Sequence, residues 1–389
     1  LRNMSAITKL VSDTKQANKT FYRTERLEAQ TGNDSMKFNY NGISQFSSIR
    51  NTASSSTLDR LGFKSEGTNL NLRYQNNTII ADSLFGIKYN LSNFDLNKYG
   101  FNQVTSEKTM GLYQNNNASQ LAILTDGIYK NIDFTVNTLD NQTSLLNALS
   151  GLNLNYFKRA PSQLFDKDAK SLNQRVAKNV SNSNKDFVTI TYRVIAPPHS
   201  QLYVSIPNIS WSDDNNHFLS ITVNGVTRNQ VTDNTFDFFD LGYFETESMV
   251  TIKLSFPGNK AISFDNPSFY ALDTQNYQIA MDTINERDSK VTTSNNKVFV
   301  DYSSKTNASL FFTIPYDKGW TATINHKKVK IQRAQKGFMK VDVPSGKGKV
   351  VLTFIPYGLK TGLVISLLAS IIFGCYAYFI RKITVIQKR

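Results

Sequence analysis

The chain has 389 residues, with 26 Phe, 18 Tyr, one Cys and a formal charge of +14 at pH 7. That length suffices for two or three domains, and aromatic-rich, Asn/Ser/Thr-rich composition suits a polar β-rich exterior protein better than a helical enzyme. A single cysteine excludes an intrachain disulfide, and an exported chain so poor in cysteine suits a bacterial surface more than eukaryotic secretion.

The chain opens on Leu1 with no signal peptide, so it reads as a piece of a longer product whose export signal lies upstream. Residues 1–19 place Leu1, Met4, Ile7, Leu10 and Val11 at near-helical spacing, a short helix consistent with continuation from a preceding membrane span. "FYRTERL" at 21–27 predicts a strand. "SSTLDRLGF" at 55–63 predicts a helix stopped by Gly62. "DSLFGIKYNLS" at 82–92 predicts one helical turn and then a strand, and "TSLLNALSGL" at 143–152 another short helix. Residues 1–150 are therefore expected to be mixed α+β.

From about Leu152 the texture changes to alternating strands with Gly, Pro and Asn turns, the signal of a β-sandwich or jelly roll. Its clearest strands are "FVTITYRVIAPP", "QLYVSIPNISW", "FLSITVNGVTR", "TFDFFDLGYF" and "MVTIKLSFPG". Asn224-Gly225 is a strong tight-turn signal. A weak repeat follows: 218–228 resembles 320–330 ("WTATINHKKVK"), and 249–258 resembles 349–358 ("KVVLTFIPYG"). The expected fold is thus an α+β N-terminal region followed by tandem β-sandwich units and one transmembrane helix. The boundaries are 1–150, a sandwich at 151–285, a smaller basic β domain at 286–358, a span at 359–381 and a tail at 382–389. Residues 285–297, "NERDSKVTTSNNK", are the expected linker.

Residues 361–380, "TGLVISLLASIIFGCYAYFI", carry no charge. A helix of that length is about 30 Å long, the thickness of a bilayer core. Tyr357, Tyr376 and Tyr378 suit aromatic belts, and Arg381, Lys382, Lys388 and Arg389 follow, so the C-terminus is expected in the cytoplasm and the bulk of the chain outside a bacterial membrane.

The charge is uneven: residues from Asp301 onward hold 15 basic and 3 acidic side chains, +12 of the total +14. Within that stretch "GWTATINHKKVKI" predicts a half-buried hairpin, with Trp320, Ala322 and Ile324 on one face and Thr321, Thr323 and Asn325 on the other. Its Asn325-His326-Lys327 tip is not the ideal Asn-Gly turn, leaving the loop length open. Two accounts of its lysines compete: a solvated sheet face, or a surface that meets anions. On the second, Lys327, Lys328, Lys330 and Arg333 are the candidate contacts to lipid headgroups or an anionic wall polymer. Topology argues against nucleic acid.

Little else suggests chemistry. His199, His217 and His326 have no zinc-like spacing, no metal or cofactor is indicated, and no G-x-S-x-G, Walker or dinucleotide pattern occurs. Asp166-x-Asp168 and Asp213-Asp214 read as solvated loops before metal sites, and Asp237 and Asp240 fall on opposite faces of a strand. Trp211 and Trp320 are candidate sugar-stacking platforms, with the sandwich core as the competing place for such residues.

"FYRTERL", "NYNGISQFSSI", "DSLFGIKYNLS" and, most specifically, "PYDKGWTATINHKKVKI…GFMKVDVPSGKGKVVLTFIPYGLKTGLVISLL" resemble the extracytoplasmic C-terminal part of YfhO-type bacterial membrane proteins. The likeness covers nearly the whole chain, departing at the hairpin tip, where Asp-Gly would be usual. It implies a polytopic protein resembling GT-C glycosyltransferases, which move a sugar from a polyprenyl-phosphate carrier to an exterior acceptor, here a wall polymer such as lipoteichoic acid. It implies as partners the upstream membrane part of the same protein, membrane lipid, and the anionic polymer or polyprenyl-phosphate sugar. The catalytic carboxylate of that fold sits in an early loop, so no catalytic residue transfers to this chain. The competing expectation is a non-enzymatic anchored surface module that binds glycan or protein.

Overall fold

The computed structural model describes residues 3–29, 31–49, 51–66, 71–74, 76–167, 171–172, 176–178, 187–211, 218–232, 238–257 and 262–386. Asp168, Asp213, Asp214, His217 and Asp237 lie outside them. Helices begin where the sequence supplies a cap. Asn51, Thr78, Asn137 and Asp273 each accept a backbone N–H from the first turn of Thr52–Asp59, Ile79–Leu84, Thr138–Ser150 and Thr274–Asn285. Strand Arg23–Arg26 runs parallel to Ile87–Ser92, and Met110–Asn115 and Phe101–Glu107 complete that sheet. Helix Met4–Ala17 buries Ile7, Leu10 and Val11 in a cluster with Leu91, Met110 and Leu112 of the same sheet. The N-terminal region is therefore mixed α+β, as its sequence predicts.

The repeat is visible as topology. One five-stranded sheet runs, edge to edge, Ser162–Lys167, Phe187–Ala196, Ser248–Pro257, Phe218–Val223, Val226–Val231. A second runs Ser289–Ser294, Lys297–Ser304, Gly346–Phe354, Trp320–Ile324, Lys327–Val329. Strand for strand, the chain visits these positions in the same order. Both sandwiches and the apolar C-terminal helix match the expected fold class.

The hairpin tips fix the register of the repeat. Asn224 and Gly225 both have positive φ (46° and 90°), as do Asn325 and His326 (47° and 69°). Both are therefore two-residue turns of the kind that needs φ > 0 at both central positions. Asn224 N–H donates to Thr251 O and Asn224 Oδ1 accepts from Thr251 N, each at 3.0 Å. Asn325 makes the same pair of bonds with Lys349, each at 2.9 Å. Asn325 is thus the counterpart of Asn224, which shifts the alignment read from the aromatic residues by one position. The shift matters because a one-residue slip exchanges the two faces of a strand: Leu219 and Ile221 point inward in one unit, Trp320 and Ala322 in the other.

Two expected boundaries do not hold. Residues 285–297 are not a linker. They contain the end of a helix and the strand Ser289–Ser294, paired with Lys297–Ser304. Its alternating Ser, Lys and Thr side chains occupy a sheet edge and resemble a loop in composition. Nor is 286–358 self-contained. Strand Ala122–Leu124, from the N-terminal region, pairs with Ala308–Pro315 and completes the second sheet of this sandwich, ordered Gln332–Ala334, Phe338–Val343, Ala308–Pro315, Ala122–Leu124. Arg23 reinforces the junction, donating from Nη2 to Thr313 O at 2.7 Å and from Nη1 to Phe85 O at 2.6 Å. Buried Gln335 accepts from Tyr129 OH (2.9 Å) and Ile132 N–H (2.7 Å) and donates to Ile132 O (2.9 Å). Lys340, buried, donates to Tyr129 O at 2.8 Å.

The helix Leu359–Ile386 leaves the head just after strand Gly346–Phe354; its stretch Leu359–Arg381 is long and apolar enough to cross a membrane and is exposed along its length. Because Trp320 pairs with Phe354 and Ile324 with Val350, the hairpin points away from the span. Its tip at Lys349 is roughly 17 Å along the strand from Phe354, at about 3.4 Å per residue.

The tip yields a stability prediction. His326 adopts a backbone conformation that costs a non-glycine residue about 1 kcal/mol or somewhat more, where the companion hairpin has Gly225. His326→Gly should stabilise the protein by about 1 kcal/mol, read as a raised unfolding midpoint in detergent; an unchanged or lowered midpoint would contradict the turn.

Candidate functional site

The four basic residues singled out in the sequence do not form one patch. Lys327 and Lys328 lie on the edge strand Lys327–Val329, with Lys330 just beyond it, all exposed. Arg333 is on Gln332–Ala334 in the opposite sheet, its guanidinium 4.2 Å from the Tyr316 ring centroid. Trp320 is half-buried with its ring 5.0 Å from Phe354. Trp211 is 6% exposed and belongs to the core, so its ring is not presented to a sugar.

A concave site lies elsewhere, where the N-terminal region meets the first sandwich. A cleft of about 270 Å³ is lined by Glu28, Ser44, Arg73, Tyr74, Asn76, Phe94, Asn229 and Gln230. A neighbouring cleft of about 220 Å³ is lined by Asn97, Asn224, Arg228, Gln230, Asp240 and Phe244. Gln230 lines both. Arg228 lies over the Phe94 ring at 4.3 Å and donates to Asp95 O at 2.6 Å, tying the sandwich hairpin to the N-terminal region.

Beneath the clefts is a buried ionic network. Lys98 Nζ pairs with Asp82 and donates to Asn76 Oδ1 at 2.8 Å and Tyr74 OH at 3.2 Å, with the Phe101 ring 4.5 Å away. Both side chains of the pair are fully buried. Asn76 Nδ2 donates to Asp240 at 3.5 Å, and Asp240 accepts from Gln201 Nε2 and Gly242 N, each at 2.7 Å. The floors of the two clefts are therefore joined through Asn76 and Asp240. On the other side, Glu25 accepts the Ile43 and Ser44 backbone N–H groups and the Ser44 hydroxyl, and Ser44 Oγ in turn accepts Tyr74 N at 3.0 Å. Such a network stabilises only while each charge keeps its partner, since an unpaired buried charge costs several kcal/mol.

Burial raises the affinity of these carboxylates for protons. It pushes Glu25 up to about 7 against the pull of three donors, and Asp82 up to about 6 against the pull of Lys98. Asp240 is raised too, again by burial. Held in hydrogen bonds under the surface, these groups shape the clefts. What faces a ligand is a set of neutral amides with Glu28, Arg73, Arg228 and Asp240, beside the half-buried Phe94 and Phe244 rings. That lining suits a hydroxyl-rich molecule, whose OH groups both donate and accept while its carbon faces rest on aromatic rings. Sequence reading missed this site. Lys98 and Asp82 belong to no motif in the sequence, and Asp240 stands out there only as half of a pair with Asp237.

The family model described as bacterial membrane protein YfhO matches residues 1–366, from the first helix into the span. The chain belongs to that family. Over 141 residues it is 25% identical to a Bacillus subtilis (strain 168) protein described as uncharacterized protein YfhO, a match covering 34% of this chain and 16% of that relative. The matched stretch is thus a small part of a longer YfhO protein. Among solved structures, a cycloisomaltooligosaccharide glucanotransferase from Paenibacillus is similar at 10% identity, over 55% of this chain and 50% of that one, with a TM-score of 0.20. An allantoicase is similar at 8% identity, over 51% and 87%, with a TM-score of 0.21. Likenesses at these scores carry no argument about this YfhO member.

The Glu25 carboxyl predicts a pH dependence. Folded it titrates near 7, and in the unfolded chain near 4.5. The folded state therefore keeps a proton the unfolded state has lost, and stability falls as pH rises through that window. Asp82 contributes in the same direction, but only up to about 6. The unfolding midpoint in detergent should drop between pH 6 and 7, and Glu25→Gln should flatten that segment. An equal drop in the variant would contradict the assignment.

Proposed function

We propose that this chain is the exterior head and a membrane span of a GT-C-like glycosyltransferase, which passes a sugar from a polyprenyl-phosphate carrier to a wall polymer such as lipoteichoic acid. The observation that carries this reading is the family match running without a break from the head into the span. In it the head lies outside the bacterial membrane, with Arg381 and Lys382 on the cytoplasmic side, as positive residues following a span favour. The head's role is to receive the acceptor rather than to break the sugar–phosphate bond. The clefts above Lys98 and Asp82 offer amides and rings to a glycan segment. Lys327, Lys328 and Lys330 form an exposed cationic edge for the phosphates of a polymer.

The test is cellular, in the full-length protein. Replacing Lys327, Lys328 and Lys330 with Gln removes three charges, each worth about 1 kcal/mol against an anionic surface. Sugar incorporation into the wall polymer should fall by up to roughly a hundredfold, since three such charges total about 3 kcal/mol and 1.4 kcal/mol is one decade, with protein level unchanged. Asn229→Ala with Gln230→Ala should lower it through the cleft. Full incorporation in both variants would remove the acceptor role.

A further inference from the structure

One turn in the N-terminal region presents apolar side chains to solvent without a packing reason. Ile49 is 91% exposed and Phe46 is 50% exposed, within the short polar stretch "QFSSI". The turn is built, not loose. Ser47 Oγ donates to Ile49 O at 2.6 Å, and Phe46 exchanges backbone bonds with the Asn33 side chain at 2.8 and 3.1 Å. Nothing in that geometry hides the Ile49 side chain.

Its place in the fold gives it meaning. Asn51, which caps the following helix, donates from Nδ2 to Tyr316 O at 2.7 Å. Gly337 packs so closely on that helix that an added Cβ would lie 2.5 Å from Ser54 Cα. The helix that follows the turn is therefore fixed to Tyr316 and Gly337 of the membrane-proximal sandwich. These two residues are at the end from which the span leaves: Trp320 pairs with Phe354, and Lys318 Nζ is 5.6 Å from the ring of Tyr357, two residues before the span helix. Among the described residues, exposed cations around this end include Lys318, Arg333, Lys336 and Lys360.

The geometry points to a second membrane contact: Ile49 and Phe46 enter the headgroup–acyl boundary of the bilayer that Leu359–Arg381 crosses, with Lys318, Arg333 and Lys336 on the phosphates around them. Apolar tips surrounded by lysine, arginine and aromatic rings are the side-chain set that binds an anionic interface. Chain continuity decides the occupant, since this is the end of the head that the span holds to the lipid. With two attachments, one covalent and one through this turn, the head cannot swivel about the residues 355–358 connection. This contact does not depend on the glycosyltransferase reading.

The test uses the full chain with Cys375→Ser, which removes its one cysteine. Ile49→Cys carries an NBD fluorophore, and Lys327→Cys, near the hairpin tip, carries the same label as control. In vesicles of phosphatidylglycerol and phosphatidylcholine, the label at 49 should emit to the blue, resist aqueous iodide and be quenched several-fold more by lipids brominated high on the acyl chain than the label at 327. Adding Lys318→Gln, Arg333→Gln and Lys336→Gln should weaken that quenching several-fold with phosphatidylglycerol present and leave it unchanged in phosphatidylcholine alone. A label at 49 as open to iodide as that at 327 would overturn the contact. So would one shielded from both iodide and bromolipid, which would place the turn against protein. Quenching indifferent to the three cations would overturn their part in it.

Discussion

The architecture depends on a three-residue strand. Ala122–Leu124 supplies an edge of the sheet that Ala308–Pro315 and Phe338–Val343 begin, pairing Leu124 with Leu310 and Ala122 with Phe312. Backbone N–H and C=O groups in a buried sheet must be paired, and here the partner comes from nearly 200 residues earlier in the chain. Thr125 N–H to Ser309 O and Thr313 N–H to Leu121 O extend the ladder at both ends. The sandwich next to the membrane cannot complete its core without the N-terminal region, because Leu121, Ala122 and Leu124 are part of that core. Arg23, Gln335 and Lys340 then satisfy carbonyls across the same junction. Whatever orientation the span imposes on the last sandwich is thereby passed to the N-terminal region.

The buried charges follow a second logic. Lys98 and Asp82 would be costly in an apolar core, but each is held by further polar groups, so the network trades stability for a defined arrangement. Its members come from the N-terminal region (Tyr74, Asn76, Asp82, Lys98) and from the first sandwich (Gln201, Asp240). The clefts open above this seam, where two units with different sequence patterns meet and neither can close over the other with apolar side chains alone.

Much of the fold was legible because it rests on local chemistry. The short helices, the alternating strands, the uncharged span and the weak repeat between the two sandwiches all leave periodic or compositional signals. What was not legible is what depends on contacts distant in sequence. Ala122–Leu124 is too short to show a period. Ser289–Ser294 has the composition of a loop because a sheet edge faces water on one side. The alignment of the two hairpins was read from Phe218 and Trp320, whereas the turn conformation at Asn224 and Asn325 decides it. Of the proposed site residues, Lys327, Lys328 and Lys330 lie on or just beyond one edge strand, Arg333 lies in the other sheet, and Trp211 lies in the core. The ion pair under the clefts left no sequence signal, since a buried Lys and Asp sixteen residues apart look like any two surface charges.

If the head is one body, the shared strand must be as hard to open as the sheet it completes. Hydrogen exchange on the full chain in detergent, read by mass spectrometry, reports this directly. Amides of residues 121–125 should exchange as slowly as those of Ala308–Pro315 and open with them in a single step. Rapid exchange at 121–125 while Ala308–Pro315 stays protected would show two independent units and contradict the account.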